Sequence, residues 1–599
     1  MFSDSIEIET EAMGTYVPSS ANNRSGRRGN NDGNYAAFQQ GDFPMSSGAG
    51  LFGSAEAAGA IPIGAATSAG LFGTPGANVA AAAAAATAGA GAGAGASSAA
   101  AAAAATSTTN GIPDIVAKFL IFFQRTLAEN KNVNEITSVY DGGFAQTTER
   151  YYKNAPWPSA DLIAPLVDND TFFLILYKEL YYRHIYARLT PTLEQRLESY
   201  ENYCDLFDFI LNRDQPVDIE LPNQWLWDMI DEFIYQFQSF CQLRARADTK
   251  TPEELAFFEA NPQVWDVHSV LIILHSLAEK SNINQQLELQ RVGGPNAEGL
   301  AAVAGEFGSR GLYRQLGFFA LIGLCRLHCQ LGDYYQALKV LDSLDFGRRG
   351  MHFKVPACQI TAYYYVGFAY FMLRRYQDVV RTLSSILLLM LRTRLGNFGP
   401  SHQVDMSSKK NEQMYALLGM AVAFNPQRLD ETLQATLREK LGEKYQKLQK
   451  GDEATFEELF KAACPKFIAP VVSDTPSNPL ALQQRLFLAE MKQQILLPAI
   501  RSYLKLYTTM PIAKLASFLD VDTDTCRTQL LSYKHKMRSV VWSQGPPLSG
   551  EFHSTSDIDF YLNKDMIHIA DTKVARRYGS VFIKLISNSR TPNDKLASA

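Results

Sequence analysis

Tyr335-Gln336-Ala337-Leu338 returns 41 residues later as Tyr376-Gln377-Asp378-Val379, and each copy closes a helical hairpin. Ahead of the first copy, Leu312, Leu316, Phe319, Ala320, Gly323, Leu324, Leu327 and Leu331 fall at steps of three and four. That spacing predicts one apolar helical face, and Gly332-Asp333 predicts the turn into a second helix. Ahead of the second copy, Ile360, Tyr364, Gly367, Phe368, Phe371 and Met372 take the equivalent places. A period near 41 belongs to repeats in which a pair of helices cannot bury its apolar stripe alone and must stack on its neighbours. Arrays of this kind present surface to partners and seldom catalyse.

Outside this array the chain is not uniform. The first 110 of its 599 residues carry seven acids against three bases, with Gly, Ser and Asn throughout and alanine runs at 80–86 and 99–105. Such a segment has little apolar area to offset a chain entropy of about 1 to 2 kcal/mol per residue, which predicts a disordered tail. The Ala-Gly alternation from Gly89 to Ala96 holds no Leu, Ile or Phe, whereas a membrane span needs roughly 20 strongly apolar residues. Glu7, Glu9 and Glu11 precede the first base, Arg24, so neither a secretory n-region nor an Arg-rich transit peptide is expected, and the expected compartment is the cytoplasm. Seven cysteines scattered from Cys204 to Cys526 fit reduced thiols in a helical core. A net charge of -5 exerts no global pull on nucleic acid, so any RNA contact has to come from local patches.

From Ile112 onward the apolar spacing is helical almost everywhere. Phe172 to Leu189 and Gln224 to Leu243 are the densest aromatic helices, and in the second Leu226, Ile230, Phe233, Phe237 and Phe240 form a stripe opposite Asp228, Asp231 and Glu232. Trp225 and Trp227 suit either a core or an interface. After Pro498 the pattern changes. Ile500, Tyr503, Leu504 and Tyr507 predict a short helix; Pro511 opens another with Ile512, Leu515, Ala516 and Leu519; and Cys526, Leu530, Tyr533 and Met537 predict a third. Ile558, Phe560 and Leu562 then alternate with Asp557, Asp559 and Tyr561, and after three turn residues Ile567 and Ile569 alternate back. Three helices followed by such a hairpin spell a winged helix, whose two strands need the helices beside them to be stable. A last helix is expected with Val574, Tyr578, Phe582 and Leu585 inward and Arg576, Arg577 and Lys584 outward.

The expected fold class is therefore mainly α: a TPR-like helical-repeat solenoid followed by a C-terminal winged helix, with a disordered N-terminal tail. The expected divisions are a tail at 1–110, an N-terminal helical region at 111–310, repeats at 311–498, a winged helix at 499–572, and a terminal helix and tail at 573–599. A solenoid running into a winged helix is the architecture of the PCI domain, here roughly 365–570. Four words carry a closer resemblance: Leu174-Ile-Leu-Tyr-Lys-Glu-Leu-Tyr-Tyr-Arg-His-Ile-Tyr186, Leu221-Pro-Asn-Gln-Trp-Leu-Trp-Asp228, Leu331-Gly-Asp-Tyr-Tyr-Gln336 and Asp565-Met-Ile-His-Ile-Ala-Asp-Thr-Lys-Val-Ala-Arg-Arg-Tyr-Gly579. Across about 112 to 585 the chain resembles the subunit L family of eukaryotic translation initiation factor 3, from which the alanine-rich tail departs. The resemblance implies a non-catalytic scaffold subunit of a large assembly that binds the small (40S) ribosomal subunit and helps recruit initiator tRNA and mRNA. It implies sister subunits as partners through the winged-helix region, and neither membrane nor small-molecule substrate. The alternatives are a PCI scaffold of the proteasome lid or signalosome, and an RNA-binding winged-helix module.

Two basic clusters are candidate contacts with RNA or with an acidic partner surface. Lys534, Lys536 and Arg538, joined by His535, end the third winged-helix helix, and Arg576 and Arg577 belong to the terminal helix. Phosphate contacts there would give salt-dependent, sequence-neutral affinity; equally, bases near a helix C-terminus favour the dipole without any ligand. In PCI proteins the winged helix and the helices after it usually bind sister subunits, which points the second cluster to protein. Cys325, His328 and Cys329 suggest a metal, but His328 leaves their shared helical face and no further Cys or His pair is near in sequence, so core packing is expected. His268 and His275, in the apolar helix 267–277, are expected in or near the core. No two of the nine histidines stand two apart, and neither a phosphate-binding Gly-x4-Gly-Lys loop nor a Gly-x-Ser-x-Gly elbow occurs. No catalytic residue, metal or cofactor is expected. Asp557 and Asp559 fall on the polar face of a wing strand, and the two Gly-Leu-Phe-Gly words at 50–53 and 70–73 are too few for repeat avidity.

Overall fold

Helix Gly311–Leu331 is buried on every side, although its spacing predicts a single apolar face. It packs against helices Asn223–Ala245, Val267–Lys280 and Pro356–Met372, so Phe318, Leu321, Ile322 and Cys325, off the predicted face, are as buried as Leu316 and Phe319 on it. Small residues make this crowding feasible. A Cβ on Gly323 would stand 2.8 Å from the Cδ1 of Ile234, and one on Gly317 would stand 2.0 Å from the Ser281 Oγ and 3.0 Å from the Leu277 carbonyl. The helix ends at Gly332, whose φ of 89° is the left-handed cap conformation. The Asp333 side chain then caps the next helix by accepting from the Gln336 N–H at 3.0 Å.

The computed structural model describes residues 108–109, 111–129, 132–245, 251–293, 299–346, 354–393, 401–469, 478–554, 556, 558–571, 578–579 and 581–590, all within the unit Gly70–Ala599. The tail expected at 1–110, with both Gly-Leu-Phe-Gly words, lies outside the described residues except for Thr108–Thr109. These two pair antiparallel with Ile112–Pro113 around Gly111.

The two copies of the repeat are unequal. In the first, Gly311–Leu331 is followed by Tyr334–Lys339, a helix of 6 residues; in the second, Pro356–Met372 is followed by Tyr376–Thr393, of 18 residues. The second hairpin closes tightly, because a Cβ on Gly367 would lie 2.6 Å from the Leu383 Cδ2. Helix Ser401–Phe424 stacks on this hairpin and on Glu453–Ala463, against which Pro479–Gln494 packs in turn. Toward the N-terminus, Thr171–Arg188 pairs with Leu193–Leu211. Trp225 is a core residue, stacked on Tyr140 at 4.8 Å and donating from Nε1 to Glu179 at 3.2 Å. Trp227 is buried with its ring edge-on to Phe319. One continuous apolar core extends from Ile112 to Met491, and a separate one begins at Leu497.

The second core belongs to the winged helix. Helices Leu497–Leu504, Ile512–Leu519 and Thr523–Lys536 supply Ile500, Leu515, Cys526, Leu530 and Tyr533, and the hairpin supplies Ile558, Phe560 and Ile567. Strands Ile558–Asn563 and Met566–Asp571 pair antiparallel as the alternation predicts. Their turn has two residues, Lys564 and Asp565, instead of three, with Lys564 at φ 54°. Three strands escape the pattern reading. Thr509–Pro511 adds to the outer side of Met566–Asp571, and Arg538–Val541 pairs with Glu551–Ser554. They are too short to alternate, and Glu551–Ser554 is exposed along its length.

Gly317→Ala is expected to destabilise the chain by about 1 to 3 kcal/mol, because Leu277 presents rigid backbone there. Gly311→Ala, which meets nothing within 4 Å, is expected to leave stability equal or slightly higher. Urea midpoints of the two variants check this.

Candidate functional site

A loop, residues 542–550 between strands Arg538–Val541 and Glu551–Ser554, fastens the winged helix to the solenoid. Arg375 leaves the turn after helix Pro356–Met372 and is buried. Its Nε donates to Asp378 at 2.7 Å, Nη1 to the carbonyls of Pro547 at 3.2 Å and Leu548 at 3.1 Å, and Nη2 to that of Ser549 at 2.9 Å. The Tyr370 hydroxyl donates to the same Pro547 carbonyl at 2.7 Å. Asp378 uses its second oxygen to accept from the Trp542 N–H at 3.0 Å. Arg381 donates to the Trp542 carbonyl at 3.0 Å, its guanidinium 4.7 Å from the indole centroid. Burial raises the Asp378 carboxyl above the ordinary carboxylate range, while Arg375 and the Trp542 N–H act against that rise. A guanidinium holds five donors in a rigid fork, which is why one side chain can order three consecutive carbonyls and a carboxylate. Asp378 stands in the repeated word where the first copy has the buried Ala337. That departure from the repeat is the sequence signal of the latch, and pattern reading missed it.

The predicted basic residues separate. Lys534 donates to the Phe560 carbonyl at 2.7 Å and lies 3.4 Å from Asp559. Lys536 pairs with Glu490 on helix Pro479–Gln494, to which Arg374 also comes within 3.3 Å; this is a second tether between winged helix and solenoid. Arg538 is exposed at the start of its strand and His535 is exposed beside it. Arg576 and Arg577 lie outside the described residues, as do Val574 and Asp557.

Residues 581–590 are helical, but the inward face expected for them is not formed. Phe582 and Leu585 are 61% and 57% exposed, and Val581, Ile583 and Ile586 are exposed as well. Neither apolar core among the described residues contains any of them. Cys325 and Cys329 are buried and His328 is half-buried. Among the described residues no group of three or more His, Cys, Asp and Glu is placed to hold a metal. His275 is half-buried, whereas His268, expected in or near the core, is exposed at the first turn of its helix, its N–H bonded to the Asp266 cap.

A family model described as RNA polymerase I-associated factor PAF67 matches residues 195–589. Eukaryotic translation initiation factor 3 subunit L of Nematostella vectensis is 55% identical over 79% of this chain and 91% of its own length. The same subunit of Xenopus laevis is 51% identical over 81% of this chain and 91% of its own, and that of Homo sapiens 51% over 79% and 89%. The chain belongs to the initiation factor 3 subunit L family. The subunit L relationship bears out the four words quoted above and sets aside the lid and signalosome alternatives. No helix among the described residues is long and apolar enough to cross a membrane.

Arg375→Ala strips the donors from three carbonyls and leaves Asp378 buried without its cation, an expected cost of about 3 to 5 kcal/mol. Hydrogen exchange across 542–550 is expected to accelerate strongly. Arg527→Ala removes an exposed pair with Asp565 and is expected to cost about 0 to 1 kcal/mol without changing exchange in that loop.

Proposed function

We propose that the chain is a non-catalytic scaffold subunit of the initiation factor 3 complex in the cytoplasm. It joins sister subunits through its winged helix and terminal helix, and it reaches the small (40S) ribosomal subunit, initiator tRNA and mRNA as part of that assembly. The observation that carries this reading is the exposed terminal helix of a subunit L chain. Fully burying side chains such as Phe582, Ile583 and Ile586 contributes roughly 1.5 to 3 kcal/mol each, a gain that a partner surface would supply. The reading needs no cofactor or metal, in keeping with a sequence that lacks the signatures of nucleophile, metal or phosphate chemistry. In this proposal the divisions at 111–310, 311–498, 499–572 and 573–599 separate a region of support from a region of attachment.

The five basic candidates divide under the same proposal. Lys534 and Lys536 serve chiefly to hold the winged helix in place, since their ammonium groups have internal acceptors. Arg538, Arg576 and Arg577 would meet an acidic partner surface, with RNA phosphate as the second target.

Affinity purification of the tagged full chain from cytosol, with and without nuclease, tests the proposal. Initiation factor 3 subunits are expected to persist after RNA is destroyed; their loss would mean that RNA bridges the contacts. Truncation after Thr572 is expected to reduce incorporation into the complex to background, and retained incorporation would contradict the role of the terminal helix.

A further inference from the structure

Strands Arg538–Val541 and Glu551–Ser554 form a two-stranded ribbon that is a sheet apart from the three-stranded wing sheet. A ribbon of two strands is marginal in water by itself, and this one is held from outside. At its closed end the latch fixes the 542–550 loop through Arg375, Asp378 and Arg381. Gly550 brings the second strand so close to the first that a Cβ there would stand 2.6 Å from the Val541 carbonyl oxygen. At the open end the first strand follows helix Thr523–Lys536. Two residues beyond the second strand, the buried Ser556 hydroxyl bonds to that of Tyr533 at 2.9 Å and accepts from the Ile558 N–H at 3.2 Å. Glu551–Ser554 is thus an extended segment fixed at both ends.

What is held there is an open strand edge. All four residues are exposed, and Phe552 is 78% exposed in mid-strand. The strand pairs with Arg538–Val541, Val540 facing Phe552 and Val541 facing Glu551. Among the described residues no backbone hydrogen bond reaches 551–554 from outside that ladder. Antiparallel pairing turns the N–H and C=O of alternate residues toward the partner strand, so the remaining groups point outward as a row of donors and acceptors in fixed order. Short length is the one device this strand shares with edges that are blunted against pairing. It has no lysine, no proline and no bulge in its register.

The chemistry of the edge selects its occupant. Alternating N–H and C=O groups at strand spacing are matched by another extended backbone, and an apolar side chain on that backbone would cover the Phe552 ring as cross-strand pairs do. Nucleic acid is not favoured, because with histidine neutral the one charge in 551–554 is the Glu551 carboxylate, which repels phosphate. We propose that this edge takes an extended segment of a sister subunit as a third strand, with an apolar residue of that segment lying across Phe552. The proposal rests on the scaffold reading and gives the winged-helix region an attachment point distinct from the terminal helix. It also gives the latch a task, since a strand already fixed at both ends loses little freedom when a partner pairs with it.

Hydrogen exchange resolved to single amides tests this, with the full chain measured free and within the purified initiation factor 3 assembly, before and after nuclease. In the assembly the outward amides of 551–554 are expected to exchange at least about tenfold more slowly than in the free chain, while those paired with Arg538–Val541 change little. Phe552→Lys is expected to remove most of that slowing with exchange across 542–550 unchanged, which checks that the ribbon is still folded. Val292→Lys, at an 86% exposed residue of helix Ile283–Gly293, is expected to leave the slowing intact. A chain that enters the assembly with 551–554 exchanging as fast as when free would overturn the proposal and leave the scaffold reading standing; a chain that fails to enter would take down both. Slowing that is lost with nuclease would identify RNA as the cover, and slowing that appears in the free chain as its concentration rises would identify a second copy. Either result would overturn the proposal, as would slowing that survives Phe552→Lys.

Discussion

The contact between the 542–550 loop and the solenoid centres on one buried guanidinium. Burying a charge costs several kcal/mol unless it is paired and fully hydrogen-bonded, and Arg375 meets that condition only when the 542–550 loop and Asp378 are both in place. Neither side can be satisfied alone: without the loop Arg375 loses three carbonyl acceptors, and without Arg375 those carbonyls face a solenoid that offers them the Tyr370 hydroxyl alone. The contact is therefore cooperative. With the Lys536–Glu490 pair as a second point of attachment, it fixes an orientation where a single hydrophobic patch would leave the winged helix free to slide.

The solenoid solves a different problem, that of placing a helix wholly inside other helices. Gly311–Leu331 brings no large polar face to solvent, and its glycines sit where neighbouring side chains and backbone come closest. Some of the polar groups that enter this interior find partners on Asn223–Ala245. Gln330 donates to Gln238, and Arg326 to Asp231. The polar face of Asn223–Ala245, which carries Asp228, Asp231 and Glu232, is where the packing opens into a cavity.

Much of the fold was legible in the residues, for reasons that differ by element. Period-three-and-four spacing reports burial, so the repeat, the aromatic stripe of Leu226, Ile230, Phe233, Phe237 and Phe240, and the winged-helix core could be read from it. Alternation located Ile558, Phe560 and Ile567 for the same reason. Spacing says nothing about how many sides of a helix are covered, which depends on distant neighbours, so the all-round burial of Gly311–Leu331 was not readable. Short strands such as Thr509–Pro511 carry no period. Clusters of like charge in sequence proved a poor guide to free charge in space: Lys534 and Lys536 find acceptors on a wing strand and on Pro479–Gln494, many residues away. The informative signal was a mismatch, Asp378 where the repeat has Ala337. The terminal helix misled in the opposite sense, because its apolar spacing was sound but neither apolar core among the described residues takes it in.

The chemistry of the latch divides its two sides by what they are free to become. Arg375 grips the carbonyl oxygens of residues 547–549, atoms that every amino acid supplies, so the loop is recognised by the course of its backbone and not by the identity of its side chains. Mutational tolerance should therefore be lopsided. Exchange at 547–549 has only to preserve that course, which the Ser549 hydroxyl helps to hold through its contacts with the Gln544 and Pro546 carbonyls, whereas at Arg375 even lysine, with a single ammonium in place of a planar fork, cannot span the same set of acceptors.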